Sequence, residues 1–148
     1  MLSARGKYGL KAMIHLAELQ GAGGIQGAAI AEAQQIPKKF LDTILLELKN
    51  SGLVHSKKGK GGGYSLARPA AKISVGQIMR ILDGPLAAIP CASVSAYRPC
   101  LDCPDEAACQ VRKLMGEVRE ATAAILDGTM LQTLVGSAGQ RIILNYDI

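Results

Sequence analysis

The sequence changes its hydrophobic period sharply after Gly52, and this change limits the folds open to the chain. Up to that residue, apolar side chains recur at helical spacing, whereas beyond it two short apolar runs flank the segment SKKGKGGG at residues 56–63. Glycines let such a turn adopt positive φ angles and pack closely. Helices followed by a small hairpin with a basic tip predict a winged helix-turn-helix, a mainly α fold with a small β wing.

Three helices are predicted before the hairpin. The first has a stripe of apolar residues and ends at the GAGG run of residues 21–24; the stripe is Leu10, Met13, Ile14 and Ala17. A short alanine-rich segment at 25–35 follows. The third helix begins at Pro37 and is capped by Gly52 in a left-handed conformation, and its stripe is Leu41, Ile44, Leu45 and Leu48.

Two further helices are predicted after the hairpin. Ser74 and Gln77 have the spacing of a capping box, and the helix they open has the stripe Val75, Ile78, Met79 and Leu82 and closes at the DGP of residues 83–85. A long helix starts near Glu106 and stops at residues 127–128, with one side formed by Val111, Leu114, Met115, Val118, Thr122 and Ile125.

A helix of about twenty residues is roughly 30 Å long, more than a chain this small needs for its own core. We expect it to bury its stripe in a two-fold dimer, the alternative being that it folds back onto its own winged helix. The predicted organisation is a DNA-binding domain at 1–85, a cysteine-rich loop at 86–105, and a dimerisation helix with a tail at 106–148.

Positive charge is concentrated in the first half of the chain. Residues 1–72 carry 11 Lys or Arg against 4 Asp or Glu, a net of +7, whereas residues 73–148 carry 6 against 8, a net of −2, which together give +5. This asymmetry fits a phosphate-binding module joined to a sensing or oligomerisation module, or else a solvated basic surface. No apolar run is long enough to cross a bilayer or resembles a cleavable leader, so a cytoplasmic protein without a membrane partner is expected.

Double-stranded DNA is the partner that the basic half predicts. The second helix of a helix-turn-helix places its N-terminal residues at base edges in the major groove. Lys38 and Lys39 lie there and can contact phosphate or guanine, while Asp42 can accept from a cytosine amino group. Three lysines of the hairpin could reach the neighbouring backbone or minor groove: Lys57, Lys58 and Lys60.

All four cysteines of the chain fall within 19 residues of an aperiodic segment: Cys91, Cys100, Cys103 and Cys109. Core packing would scatter buried thiols, and a cytosolic setting disfavours structural disulfides. Four thiolates suit a zinc site or an iron-sulfur cluster, but only Cys100 and Cys103 form a CxxC pair, which disfavours zinc. Arg98 and Arg112 are expected to lower the thiol pKa values. Free thiols and a thiol-disulfide switch remain as alternatives.

Several segments resemble a known family: KYGLKAMIHLA at 7–17, IAEAQQIPKKFLDTILLELKNSGLV at 30–54, KKGKGGGYSLAR at 57–68, ISVGQIMRILDGP at 73–85, and then the cysteines. In these the chain resembles the Rrf-type family of bacterial winged-helix transcription regulators, the group that contains IscR, NsrR, RirA and CymR. The resemblance implies a homodimer formed by the long helix, a recognition helix at Pro37 to Lys49, and an iron-sulfur cluster in the cysteine loop. Asp42 stands where a relative uses glutamate for base selection.

The resemblance also implies a ligand set. Cluster-binding members commonly supply three cysteines, which Cys91, Cys103 and Cys109 match, so Cys100 is additional. Relatives take a fourth ligand from a histidine or an N-terminal acid, but those positions hold Arg112 and Lys7 here. Cys100 is therefore expected to complete an all-cysteine site, with a 4Fe-4S cluster favoured over 2Fe-2S.

The predicted function is a transcription regulator, expected to be a repressor, that senses redox state, nitric oxide or iron through the cluster. One alternative is a metal-free regulator that answers to a partner enzyme of cysteine metabolism, and another is the thiol-disulfide switch. No residue arrangement predicts an enzyme. His15 and His55 are remote in sequence from the cysteines and are not expected to bind metal.

Overall fold

The computed structural model describes residues 2–136 and is mainly helical, with a two-stranded antiparallel sheet. The helices are α1 (Ala4–Glu18), α2 (Gly27–Gln34), α3 (Lys38–Asn50), α4 (Val75–Leu82), α5 (Gln110–Gly128) and α6 (Leu131–Leu134), with short 3-10 turns at Ala70–Lys72 and Pro90–Ala92. The strands are β1 (Val54–Lys57) and β2 (Gly63–Leu66), in a register that places Val54 opposite Leu66. This is the winged helix-turn-helix that the change of period predicts.

The core lies where α1, α3 and α4 pack together. The predicted apolar stripes of α3 and α4 are confirmed, because every residue of both is buried. The predicted capping residues of α3 and α4 are also confirmed. Ser74 and Gln77 form both bonds of a capping box, at 3.2 and 3.1 Å, and Gly52 follows α3 with a φ of +76°.

The buried face of α1 differs from the predicted stripe. Leu10 and Ile14 are only half-buried, and the buried residues are Gly6, Gly9, Ala12, Met13, Leu16 and Ala17. The reason is close packing, since a Cβ added at Gly9 would lie 2.0 Å from Leu82 Cδ1, and one at Gly6 2.5 Å from Asp83 Oδ2. The glycine face of α1 therefore meets the end of α4, and the buried face includes Met13 and Leu16 but leaves Leu10 and Ile14 half-buried.

The wing is tied to the loop before α2. Ile25 and Tyr64 exchange two backbone hydrogen bonds of 2.8 Å, and Gln26 donates a side-chain bond of 3.0 Å to the carbonyl of Gly62. A Cβ at Gly63, where φ is +126°, would lie 2.5 Å from the backbone of Ile25. Because α2 follows directly, these contacts fix the position of the wing relative to the helix-turn-helix.

The long helix begins later than predicted, at Gln110 rather than near Glu106. Cys109 is the N-cap residue of the helix. Glu106 stays in the preceding loop, where its carboxylate accepts hydrogen bonds from Tyr97 and Cys100. Beyond α5 the chain returns to the winged helix: Leu131 is fully buried, and its N–H donates to the carbonyl of Ile73 at 2.9 Å. Sequence reasoning had assigned no role to residues 130–134, and the tail at 141–148 lies outside the described residues.

Candidate functional site

The N-terminal end of α3 presents the residues predicted to read DNA. Lys38 and Lys39 are exposed, and Asp42 is half-buried one turn later. Lys38 Nζ lies 2.6 Å from Asp42 Oδ1, so the two side chains form an ion pair within the helix. An ion pair at this spacing orients both groups, and because the pair engages only Oδ1, the Asp42 carboxylate keeps a second oxygen that can accept a bond from a base.

The lysines of the wing are also in a position to contact a ligand. Lys57, Lys58 and Lys60 are all exposed. Gly59, Gly61 and Gly63 have the positive φ angles that the sequence predicted, whereas Gly62 lacks one and is constrained by space instead. A Cβ there would lie 2.2 Å from the carbonyl oxygen of Lys57. The glycines thus keep the tip of the wing narrow, with its cations outward.

All four cysteines line a single cavity of about 590 Å³, which we call the thiol cavity. Cys91 is buried, Cys103 and Cys109 are half-buried, and Cys100 is exposed. Within residues 2–136, no three His, Cys, Asp or Glu side chains converge closely enough to form a metal-binding group. The fold therefore gathers the four predicted ligands around one space without closing them into a ligand set.

Glu106 organises the cysteine loop, a role that sequence reasoning missed. Its carboxylate accepts a hydrogen bond from Tyr97 Oη at 2.5 Å and another from the backbone N–H of Cys100 at 3.1 Å. The bond from Tyr97 lowers the pKa of Glu106, which keeps the carboxylate ionised. The signal in the sequence that could have identified this role is an acidic residue within an aperiodic, cysteine-rich segment.

The thiol pKa values differ from the sequence expectation. Arg112 directs its Nε to the carbonyl of Cys91 at 2.9 Å rather than to a sulfur atom. The pKa of Cys100 is raised, because its Sγ donates to Asp102 Oδ1 at 2.8 Å, and the pKa of Cys103 is raised by desolvation and by the nearby Cys109. The prediction that arginines lower these pKa values is therefore wrong for Cys100 and Cys103.

One side of α5 carries a continuous apolar strip. None of the helix's residues is buried, and its exposed large side chains include Leu114, at 55% exposure, and Ile125, at 67%. Exposed residues recur with alternating spacings of three and four, which is the pattern of a coiled-coil seam; this α5 seam is Val111, Leu114, Val118, Ala121 and Ile125. Met115 and Thr122, predicted on the same strip, are half-buried and lie outside it.

The two histidines lie away from the cysteines. His15 Nδ1 is 3.2 Å from Gln34 Nε2, where α1 meets α2, and His55 is exposed on β1. Neither lines the thiol cavity. Among residues 2–136, no helix is both long and apolar enough to cross a membrane.

Comparison with known proteins shows what this arrangement resembles. Residues 2–137 match the Rrf2 family, described as iron-dependent transcriptional regulators. An rrf2-like helix-turn-helix regulator of Rhodobacter capsulatus is 39% identical over 140 residues, which are 93% of each chain.

Two solved structures are similar throughout. CymR of B. subtilis, described as the global cysteine regulator, matches with a TM-score of 0.75 and 32% identity over 90% of this chain and 95% of CymR. IscR of T. potens matches with a TM-score of 0.72 and 28% identity over 90% of this chain and 85% of IscR.

Proposed function

The chain belongs to the Rrf2 family of transcriptional regulators, and from this premise we propose that it is a homodimeric repressor that senses redox state, nitric oxide or iron through an iron-sulfur cluster. Like the relatives it matches, it is a DNA-binding transcription regulator and not an enzyme. In this proposal the protein acts in the cytoplasm, where it binds a double-stranded DNA operator.

The observation that carries the sensing proposal is the shared thiol cavity. Cys91, Cys100, Cys103 and Cys109 all line it, and four sulfur donors are the set that iron-sulfur clusters use. These residues fit a 4Fe-4S or a 2Fe-2S cluster once the exposed Cys100 turns inward, with 4Fe-4S favoured over 2Fe-2S, and zinc is the less favoured occupant. When bound, a cluster supplies a centre whose oxidation, nitrosylation or loss alters the charge and shape of the loop.

The chain's own contacts offer a route from this loop towards DNA. Arg112 and Arg119, both on α5, donate to the carbonyls of Cys91 and Ala92. At the other end of α5, Asp127 accepts two bonds from Arg80 of α4, at 2.6 and 2.9 Å. Since α4 packs against α1 and α3, a shift of the loop would be passed by α5 to the frame that holds the recognition helix.

In this proposal α3 and the wing hold the operator. Lys38 and Lys39 contact phosphate or guanine, and Asp42 accepts from a base edge in the major groove. Lys57, Lys58 and Lys60 bind the backbone beside it. Dimerisation through the α5 seam sets the separation of the two recognition helices, which has to match a groove spacing of about 34–36 Å.

A metal-free regulator is the second candidate. The likeness to CymR, which is described as the global cysteine regulator, favours it. Under this alternative the cysteines act as a thiol-disulfide switch, or the signal comes from a partner enzyme of cysteine metabolism.

Substitution of the cysteines distinguishes the two candidates. We expect Cys103→Ala and Cys109→Ala each to abolish the visible charge-transfer absorption of protein reconstituted with iron and sulfide, and to remove its response to oxidants in operator-binding assays. We expect Cys100→Ser to lose this absorption as well, because the position three residues after Cys109 is Arg112, so no histidine there can replace Cys100 as the fourth ligand. If the variant with all four cysteines changed to Ser binds operator and is regulated normally, the signal comes from a partner enzyme, whereas reversible loss of free thiols on mild oxidation without iron identifies the thiol-disulfide switch.

A further inference from the structure

Cys91 also lines a second cavity, of about 220 Å³, that the sensing proposal does not use. On one side it is bounded by residues 91–93, and on the other by one stretch of α5 that contributes Arg112, Lys113, Gly116 and Arg119. We call it the arginine cavity. Three of its four α5 residues are cations, in the half of the chain that carries a net negative charge.

The two arginines have donors to spare. Arg112 uses its Nε for the carbonyl of Cys91, and within residues 2–136 its terminal nitrogens have no hydrogen-bond partner. Arg119 donates to the carbonyl of Ala92 and pairs with Glu120, whose side chain is 70% exposed. Arg112 also attracts Glu106, which is already bonded to Tyr97 and Cys100. Among the described residues, the lining of the cavity itself contains three cations and no acidic residue.

Gly116 provides the space between the two guanidinium groups. It lies four residues after Arg112 and three before Arg119, so all three share one face of α5. A Cβ added at Gly116 would have no atom within 4 Å among its described neighbours. Any larger side chain at this position would project into the open side of the cavity.

The arginine cavity stays accessible in the proposed dimer. At about 100° per residue, the face of Arg112, Gly116 and Arg119 points roughly 145° around the helix from the α5 seam. A partner helix seated on the seam would therefore leave this face uncovered.

We propose that the arginine cavity binds a small tetrahedral oxyanion of the sulfate or phosphate class. Guanidinium groups present paired N–H donors that match the oxygens of such anions and form charge-assisted bonds with them. Lys113 adds a third cation. Because the same arginines hold the carbonyls of Cys91 and Ala92, a bound anion is coupled to the position of the cysteine loop. The proposed contacts to the anion are made by protein groups alone and require neither a cluster nor DNA.

Calorimetric titration of the full chain with sodium sulfate and with sodium phosphate tests the site, with sodium chloride at matched ionic strength as the blank. The informative variant is Gly116→Glu, which places a carboxylate between the arginines and leaves both loop contacts in place. Gly116→Ala is its matched control. Both replace a helical glycine and so favour the helix.

We expect saturable binding of at least one of the two salts to the wild type and to Gly116→Ala, and binding weaker by at least about ten-fold to Gly116→Glu. The salt that binds more tightly identifies the source of the oxyanion. Equal binding by Gly116→Glu, or no saturable heat from either salt with the wild type, overturns the proposal. Neither outcome depends on whether the protein holds iron.

Discussion

Lys38 and Asp42 define what the recognition helix can offer to DNA. Both residues were identified from the sequence by their place at the start of α3, but their 2.6 Å ion pair was not. Hydrophobic period and motif order locate a helix and its first turn, whereas the rotamer that joins two exposed side chains depends on local competition for partners. The structure therefore makes Lys38 both a candidate phosphate contact and the residue that orients Asp42.

Removing single lysines measures their contact with phosphate. We expect Lys38→Ala and Lys58→Ala each to weaken binding to every DNA sequence and to reduce the slope of log K against log salt by about 0.9 per lost contact. Lys72→Ala is the control, because this exposed lysine lies in the 3-10 turn before α4. Electrophoretic mobility shifts over a salt series provide the measurement. Unchanged slopes for both Lys38→Ala and Lys58→Ala would show that the interface is misplaced.

Secondary-structure elements were predicted well where period and capping agree, as in α3 and α4. Two of the errors come from close backbone contacts, and a third comes from a long-range return of the chain. In α1, Met13 and Ala17 are buried as predicted, but Leu10 and Ile14 are not, because Gly6 and Gly9 allow close approach to α4. The pairing of Ile25 with Tyr64 involves too few residues to show a period. The burial of Leu131 depends on where the end of α5 returns to the winged helix, and this is a tertiary property.

The pairing of the wing with Ile25 predicts unequal effects of two glycine substitutions. Gly63 and Gly61 both have positive φ, at +126° and +75°, but only a Cβ at Gly63 would meet the backbone of Ile25. We expect Gly61→Ala to lower the free energy of unfolding by about 1 kcal/mol, through backbone strain alone. Gly63→Ala should cost about 1–3 kcal/mol more, because overpacking adds to that strain. Equal losses in urea denaturation would indicate that the wing is not held by this contact.

Within residues 2–136, the winged helix buries a single apolar core, whereas α5 keeps an exposed apolar seam. A dimer through this seam is the arrangement in which the helix gains a partner for Leu114 and Ile125, which are 55% and 67% exposed. The sequence predicted the long helix and its need for a partner. It could not separate the α5 seam from the half-buried Met115 and Thr122, because that division depends on how α5 leans against α4.

Charge placed within the seam should abolish the dimer. We expect Leu114→Glu and Val118→Glu to behave as folded monomers at micromolar concentration, because each would bury an unpaired carboxylate in the interface. Lys113→Glu is the control: it changes the net charge more than either seam variant does, but this exposed residue lies outside the seam, so the dimer should persist. Sedimentation equilibrium gives the mass. A dimer that persists in both seam variants would place the interface elsewhere.

The proposed sensing role depends above all on an iron-sulfur cluster held by the four thiols. Purification without oxygen, followed by quantification of iron, sulfide and zinc per chain, examines this in one measurement. We expect a brown protein with iron and sulfide in near-equal amounts, close to four of each per chain for the favoured cluster, and with little zinc. Colourless protein that contains no iron and cannot be reconstituted, or that carries one zinc per chain, would contradict the proposal.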